Sequence, residues 1–326
     1  MPKAIRIHAY GGPEMLRWEE VEVGDPSPGQ LRIRQTAIGL NYIDVYHRTG
    51  LYPLPSLPWT LGMEGAGRVE AVGEGVSEFK VGDRVAYASP PVGAYAEARL
   101  IPADRVVALP EAINDQTAAA MMLQGMTAHY LLRRTYRVQP GDAILLHAAA
   151  GGVGLIASQW ARQLGALVIG TVGSDEKAEI ARAHGCHHVI VYTRENFTER
   201  VRDITDGQGV AVVYDSVGKE TFMGSLDCLR PLGMMVSFGN ASGPVPPFEP
   251  GILAAKGSLF FTRPTLMTYT AKRQDLLASA ADLFDVVAMG AVKIEVRQTY
   301  PLADTAQAHQ DLEARKTTGS TVLLPG

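Results

Sequence analysis

The sequence predicts an α/β fold in which a doubly wound parallel sheet is joined to a β-rich domain. Three observations predict it. A glycine run, Gly151-Gly152-Val153-Gly154, stands between an apolar strand-like stretch, Ala143 to His147, and a helical stretch, Leu155 to Leu164. Strand-like and helical runs then alternate at intervals of roughly twenty residues, as successive βαβ units require. Composition also changes character near residue 115: before it, Gly and Pro separate short alternating strands, and after it strands alternate with helices.

In chain order, Ala4 to Tyr10, Leu16 to Val23, Leu31 to Leu40, Gly67 to Val72 and Arg84 to Ala88 read as strands. They are separated by the turn chemistry of Gly11-Gly12-Pro13, Pro26-Ser27-Pro28-Gly29 and Lys80-Val81-Gly82-Asp83, which predicts a twisted antiparallel barrel. Glu64 reads as part of a glycine-bracketed turn. Six strands of the parallel sheet follow: Ala143 to His147, Leu167 to Val172, His188 to Val191, Ala211 to Tyr214, Met234 to Phe238 and Ser258 to Thr262. Beyond them come a helix from about Ala271 to Met289, a strand near Lys293 to Thr299, a helix from Ala303 to Ala314 and a last strand, Ser320 to Leu324. No internal repeat or low-complexity segment is present.

A chain of 326 residues with 46% apolar content is long enough for two packed domains, and a net charge of −4 supplies no global basic field. Nucleic acid is therefore not expected as the main partner. The start, Met1-Pro2-Lys3-Ala4-Ile5-Arg6, lacks the apolar region of a secretory signal, and no run is long enough for a membrane span, so a cytoplasmic protein is the expectation. Cys186 and Cys228 are the only cysteines; far apart and outside any C-x-x-C pair, they read as free thiols of a reducing compartment.

The glycine run carries the chemistry. Without a Cβ, the backbone at Gly151, Gly152 and Gly154 lets amide groups approach a pyrophosphate, and the start of the following helix, with Val153 in its first turn, adds a partial positive field. The spacing, A-x-x-G-x-x-G, departs from the usual G-x-G-x-x-G, but the strand before it and the helix after it place it in a dinucleotide-binding (Rossmann) unit. One strand further on, enzymes that use NAD carry an acidic residue for the ribose hydroxyls. Here Val172-Gly173-Ser174 stands there, with Lys177 three residues beyond. Gly173 leaves room for a 2′-phosphate, Ser174 can donate a hydrogen bond and Lys177 brings a cation, so NADPH is expected rather than NADH. A lysine in a first helical turn opposes the helix dipole unless an anion is present, which favours the phosphate over a merely solvated lysine.

Together, these and further segments resemble the quinone oxidoreductase (zeta-crystallin-like) branch of the zinc-independent medium-chain dehydrogenase/reductase superfamily. The resemblance spans nearly the whole chain. It rests on Gly11-Gly12-Pro13-Glu14, Gly39-Leu40-Asn41-Tyr42-Ile43-Asp44 with Tyr46, Arg48-Thr49-Gly50-Leu51-Tyr52-Pro53, Gly62-Met63-Glu64-Gly65-Ala66-Gly67 and Gly82-Asp83-Arg84-Val85. His147-Ala148-Ala149-Ala150-Gly151-Gly152-Val153-Gly154, Tyr214-Asp215-Ser216-Val217-Gly218, Val236-Ser237-Phe238-Gly239-Asn240 and Thr262-Arg263-Pro264 complete it. It implies a GroES-like catalytic domain from residues 1–123 and 266–326, a Rossmann domain from 124–265, an active site in the cleft between them, and a homodimer.

Metal-dependent relatives need a cysteine, a histidine and a further ligand for zinc, whereas this chain has Asn41 and Met63 where the cysteine and histidine would fall. Catalysis without metal is the expectation, and it suits an acceptor that is already electron-poor, such as a quinone. The resemblance implies NADPH-dependent reduction of quinones to hydroquinones or semiquinones, with Asn41, Tyr46 and Tyr52 lining the quinone pocket. It also implies that Tyr192 packs near the adenosine, and that Phe238, Gly239 and Asn240 meet the nicotinamide ribose. Main-chain groups from Phe261 through Arg263 and Pro264 to Leu266 serve the nicotinamide amide on this reading. Ser216 stands at another strand end, Ile43, Asp44 and Tyr130 line the cofactor cleft, and Arg315 is a late basic residue that could return to touch cofactor. Gln124 and Thr127 could face the nicotinamide or serve as helix-cap and core-edge residues. Glu64 is expected to bond backbone groups rather than to act as a general acid. Two alternatives stay open: reduction of activated double bonds in enones and alkenals, and a non-catalytic role binding NADPH or RNA.

Overall fold

The computed structural model describes all residues from Met1 to Gly326. The chain divides into two compact units, one formed by Met1–Met126, Thr270–Ala288 and Ile294–Gly326, the other by Thr127–Tyr269 with Met289–Lys293.

The first unit opens with β1 (Lys3–Ile7), β2 (Arg17–Glu20), β3 (Gln30–Leu40), α1 (Tyr42–Thr49), β4 (Trp59–Thr60) and β5 (Glu64–Val72). It continues through β6 (Arg84–Ala88), β7 (Ala98–Pro102), β8 (Val107–Ala108), α2 (Asp115–Ala119) and α3 (Met122–Tyr130), the helix along which the chain passes into the second unit. That unit contains β9 (Ala143–Leu146), α4 (Gly152–Gln163), β10 (Leu167–Val172), α5 (Asp175–Ala183), β11 (His188–Val191) and α6 (Phe197–Ile204). It is completed by β12 (Val210–Asp215), α7 (Phe222–Asp227), β13 (Leu229–Ser237), α8 (Gly251–Ala255), β14 (Phe260–Thr262) and α9 (Leu266–Tyr269). The chain then returns to the first unit as α10 (Arg273–Ala288), β15 (Val296–Pro301), α11 (Thr305–Glu313) and β16 (Ser320–Leu324).

β3 organises the first unit. Leu31, Ile33 and Gln35 face inward while Arg34 and Thr36 face solvent; from Ala37 to Leu40 every residue is buried. The change follows from its partners: the first half pairs with β7 and β5, the second with β5 and with β16 from the far end of the chain. The resulting seven-stranded sheet runs β15-β16-β3-β5-β6-β8 with β7 beside β3, and β2-β1-β4 form a smaller sheet. Ile5, Ile7, Leu31, Ile33, Ile38, Leu61, Val85 and Leu323 meet in its core. All pairings among β1 to β8 are antiparallel, as the alternating pattern predicted, whereas β15 joins β16 in parallel. Glu64 departs from expectation: it begins strand β5 instead of lying in a turn. Gly65 and Gly67, which suggested the turn, stay in the strand because neighbouring segments lie against them. A Cβ on Gly65 would meet the Tyr87 hydroxyl at 2.8 Å, and one on Gly67 would overlap the Arg34 carbonyl.

The second unit is a six-stranded, wholly parallel sheet in the order β11-β10-β9-β12-β13-β14. Leu145, Ile169, Ile190, Val213 and Met235 form one side of its core with Phe222 and Leu226 of α7. The chain moves outward from β9 to β10 and β11, then crosses back to β12 on the other flank, so the order reverses beside β9. In open parallel sheets the crevice past the carboxyl ends at such a reversal receives the ligand. β13 begins at Leu229, earlier than the apolar run from Met234 suggested, because Pro231 and Gly233 mask its first half.

Candidate functional site

At the reversal, β9 ends at Leu146 and the chain turns through Ala148, at φ 54°, to Gly151, the N-cap of α4. Gly154 lies one turn into α4, where a Cβ would stand 2.7 Å from the Ala149 carbonyl oxygen and overlap that of Ala148. The loop therefore folds tightly on itself and presents the first amides of a twelve-residue helix outward, the arrangement a pyrophosphate requires. Beneath it the ends of three strands are laced together. His147, buried after β9, bonds Thr171 Oγ1 of β10 through Nδ1 at 2.8 Å and Ser225 Oγ of α7 through Nε2 at 2.9 Å. Ser225 and Thr221 donate to Asp215 Oδ2 at the end of β12, at 3.1 and 2.7 Å. Burial lowers the pKa of His147, against the opposing pull of Asp215.

At the second strand end, Ser174 caps α5 by accepting the Lys177 amide at 3.3 Å, a role that uses an oxygen lone pair and leaves its hydroxyl proton to donate. Tyr192 lies over Gly173, so a Cβ there would come within 2.8 Å of its phenolic oxygen. The predicted adenosine residues Gly173, Ser174, Lys177 and Tyr192 are thus gathered at the ends of β10 and β11. On the other flank, Asp215 Oδ1 accepts the Val217 and Gly218 amides at 2.8 and 3.0 Å and shapes the turn at Ser216. The Phe238 amide reaches the Asp215 carbonyl at 2.8 Å, and a Cβ on Gly239 would meet Ser216 Cα at 2.9 Å, so Ser216 and Phe238 to Asn240 sit side by side. The Phe261 ring packs on Phe248 and Phe222 at 5.3 and 5.8 Å, and the residue stands in β14 beside Met235 of β13. Arg263 Nη1 donates to the Pro264 carbonyl at 3.2 Å, while Leu266 and Thr127 are buried. Tyr130 stacks on Tyr269 at 4.6 Å and 9°.

A second cluster lies within the first unit. Glu64 is fully buried; its Oε2 accepts Asn41 Nδ2 at 2.7 Å and its Oε1 accepts the Leu123 amide at 2.7 Å, at the start of α3. The Asn41 Oδ1 accepts Gln124 Nε2 at 3.1 Å, and Gln124 Oε1 accepts Ser320 Oγ at 2.7 Å. One Asn41 N–H and its carbonyl oxygen are thereby committed, and the amide is held in one orientation. Gly39 makes this possible, because a Cβ there would overlap the Glu64 carboxyl and the Ala119 carbonyl. Glu64 does bond a backbone amide, as expected, and it also holds Asn41. Burial pushes its pKa up to about 8 and that of Asp44 up to about 7.

Asp44 Oδ2 accepts the Asn41 amide and the Tyr95 hydroxyl, each at 2.9 Å, while Oδ1 is buried without a partner. Tyr95 Oη meets His309 Nε2 at 3.1 Å, and His309 Nδ1 meets Arg48 Nη1 at 2.9 Å. Arg48, itself buried, forms a two-pronged pair with Glu313 at 2.9 and 2.8 Å. A guanidinium only donates, so His309 accepts at Nδ1, carries its proton on Nε2 and donates to Tyr95, which donates to Asp44. Burial and the neighbouring Arg48 hold His309 neutral, with its pKa lowered to about 3. Around this core α1 presents aromatic rings: Tyr46 packs edge-on to Tyr52 at 5.2 Å and against Tyr42 at 6.0 Å. Ile43 is half-buried beside them, and exposed Arg315, at φ 59°, acts electrostatically on the Tyr42 phenol.

Sequence reasoning passed over Tyr95, His309 and Glu313, because their partners are 51 to 265 positions away. Arg48 stood in a recognised motif, which was the one available signal. His147 and Asp215 likewise stand in segments that carry the family resemblance, with nothing local to show that they bond through Ser225. No group of three His, Cys, Asp or Glu side chains is placed to hold a metal ion, and both cysteines are buried free thiols.

Residues 27–111 match the family model described as alcohol dehydrogenase GroES-like domain, and residues 152–284 that described as zinc-binding dehydrogenase. A quinone oxidoreductase of Pseudomonas aeruginosa is 54% identical, covering 100% of both chains. A 2-haloacrylate reductase of Burkholderia is 50% identical over 100% of this chain and 99% of its own. The crystal structure of Escherichia coli quinone oxidoreductase complexed with NADPH superposes with a TM-score of 0.98 at 50% identity, covering 99% of this chain and 100% of that one.

Glu64 and Asp44 hold protons in the folded chain that an unfolded chain releases from near pH 4. The stability they contribute is whole below that pH and is lost as pH rises toward 7 to 8. Glu64→Gln cannot ionise, so urea denaturation across this range should show a shallower fall in stability than wild type; an identical slope would mean that folded Glu64 is already charged.

Proposed function

The chain belongs to the quinone oxidoreductase branch of the GroES-like medium-chain dehydrogenase family, and from that premise we propose that it reduces quinones with NADPH without a metal. The observation that carries the reading is the alignment, in one parallel sheet, of the tight glycine loop after β9 with the Gly173-Ser174 end of β10. These features fit a dinucleotide with a 2′-phosphate: the loop brings amides to a pyrophosphate, and the β10 end offers the Ser174 hydroxyl with the Lys177 cation close by. When bound, NADPH supplies a hydride.

The remaining work falls to the chain's own residues. Gly151, Gly152, Val153 and Gly154 hold the pyrophosphate; Gly173, Ser174, Lys177 and Tyr192 hold the adenosine phosphate. Ser216, Phe238, Gly239 and Asn240 border the nicotinamide ribose, the Phe261 to Leu266 stretch with Arg263 and Pro264 offers main-chain groups, and Thr127, Tyr130, Ile43, Asp44 and Arg315 complete the cofactor set. Asn41, Tyr46 and Tyr52 orient the quinone. With one Asn41 N–H held by Glu64, its second N–H is the one that can point to a substrate oxygen. Quinone, hydride and one proton balance to the hydroquinone, and the phenols of Tyr46 and Tyr52 are suited to donate to the oxygen on which charge develops. Reduction of activated double bonds is the second reading, supported by the haloacrylate reductase among the relatives.

We also infer a cytoplasmic homodimer. No helix is long and apolar enough to cross a membrane, and two unpaired buried thiols suit a reducing compartment. β14 is the edge of the parallel sheet, with Phe260 56% and Leu232 of the adjoining strand 67% exposed, a combination that favours pairing with a second copy.

NADPH oxidation is expected to outpace NADH oxidation and to be faster with 1,4-benzoquinone or a naphthoquinone than with an enone or 2-haloacrylate; the reverse acceptor order would select double-bond reduction. Tyr52→Phe should lower kcat by about a hundredfold or more at unchanged NADPH affinity, and full turnover would remove this phenol from the chemistry. Phe260→Lys should shift the sedimentation coefficient to that of a monomer; an unshifted dimer would place the interface elsewhere.

A further inference from the structure

Asp175 presents an apparent conflict with a cofactor that carries a 2′-phosphate. Dinucleotide-binding sheets seat the adenosine ribose past the carboxyl end of their second strand, where an acidic side chain accepts the ribose hydroxyls and repels an added phosphate. Asp175 stands three residues past the end of β10 and opens α5. It is a carboxylate close to where an NAD enzyme needs one.

Both of its oxygens are engaged. Arg194 Nη1 donates to Oδ2 at 2.6 Å and Nη2 to Oδ1 at 2.5 Å. The arginine is aimed by the turn after β11: its amide bonds the Val191 carbonyl at 3.1 Å, and the preceding Thr193 hydroxyl reaches the Gly173 carbonyl at 3.3 Å. The pair thus spans the ends of the two strands that flank the adenosine position. Its mutual effect lowers the pKa of Asp175 and raises that of Arg194, so both remain charged. Exposed ion pairs add little to stability, and this one is exposed at both partners. What a two-pronged guanidinium does add is direction: it occupies both carboxylate oxygens in one plane.

We propose that Arg194 is a cofactor-specificity residue, which clamps Asp175 so that the carboxylate neither accepts a ribose diol nor opposes a 2′-phosphate. Arg194 acts through Asp175 and does not itself hold the phosphate. The inference rests on the NADPH reading above and explains how an acidic residue is tolerated beside that site.

Fluorescence titration with NADPH and with NADH, read beside kcat/KM for each, tests it on wild type, Arg194→Ala and the double variant Arg194→Ala with Asp175→Ala. Arg194→Ala should weaken NADPH binding by about ten- to a hundredfold, the scale of one charged contact, and should strengthen NADH binding. The double variant should recover NADPH binding to within a few-fold of wild type and lose the gain for NADH, because the exposed carboxylate is gone. A loss that persists in the double variant would make Arg194 a direct phosphate ligand and overturn the proposal, as would wild-type selectivity in Arg194→Ala. Wild-type protein that fails to distinguish the two nucleotides would instead remove the cofactor reading beneath it.

Discussion

The first unit depends on one buried carboxyl. Glu64 is reached by the Asn41 side chain ahead of α1 and by the Leu123 amide at the start of α3, and it lies against Gly39 of β3. An ionised carboxylate without water is costly, and burial accordingly drives Glu64 toward its neutral form. Two N–H donors keep its oxygens satisfied, and so the segments that supply them cannot move independently. Removing the carboxyl would release the Asn41 amide, and with it the N-cap from which α1 projects Tyr46.

A second chain of contacts holds the same helix through Asp44 and Arg48. Arg48 is buried and paired with a glutamate that is one-third exposed. Because a guanidinium only donates, His309 accepts at Nδ1 and turns its Nε2–H to Tyr95, whose hydroxyl donates to Asp44 Oδ2. Contacts that start on α1 thus pass through α11 and return to α1. In the second unit, the His147, Ser225 and Asp215 contacts play the equivalent part, tying strand ends together under the glycine loop. In both units most of the polar groups in these networks have partners, with Asp44 Oδ1 an exception, and the groups suited to chemistry stand on those frames.

Much of this architecture was legible in the chain. Alternation located β3 because an apolar period reports which face is buried, and apolar runs between helical stretches located the six parallel strands. The glycine loop was legible because close backbone approach excludes other residues. Strands interrupted by Gly and Pro were less legible: β5 begins at Glu64, and β13 at Leu229, because tertiary neighbours hold residues that local propensity would release. The Asn41, Tyr46 and Tyr52 segment could be singled out, but the contacts that hold Asn41 could not.

By itself the sequence determined the fold class and the succession of strands and helices in the parallel sheet, since each follows from residues near one another along the chain. Only the tertiary structure decided that β16 would complete the sheet beside β3, that Glu64 and Gln124 would fix the Asn41 amide, and that Arg194 would meet Asp175. Such pairings depend on distance in space between residues whose separation in sequence carries no periodic signal. Folding alone brings their charges and hydrogen-bonding groups within a few ångströms, and at that range the electrostatics of the site are set.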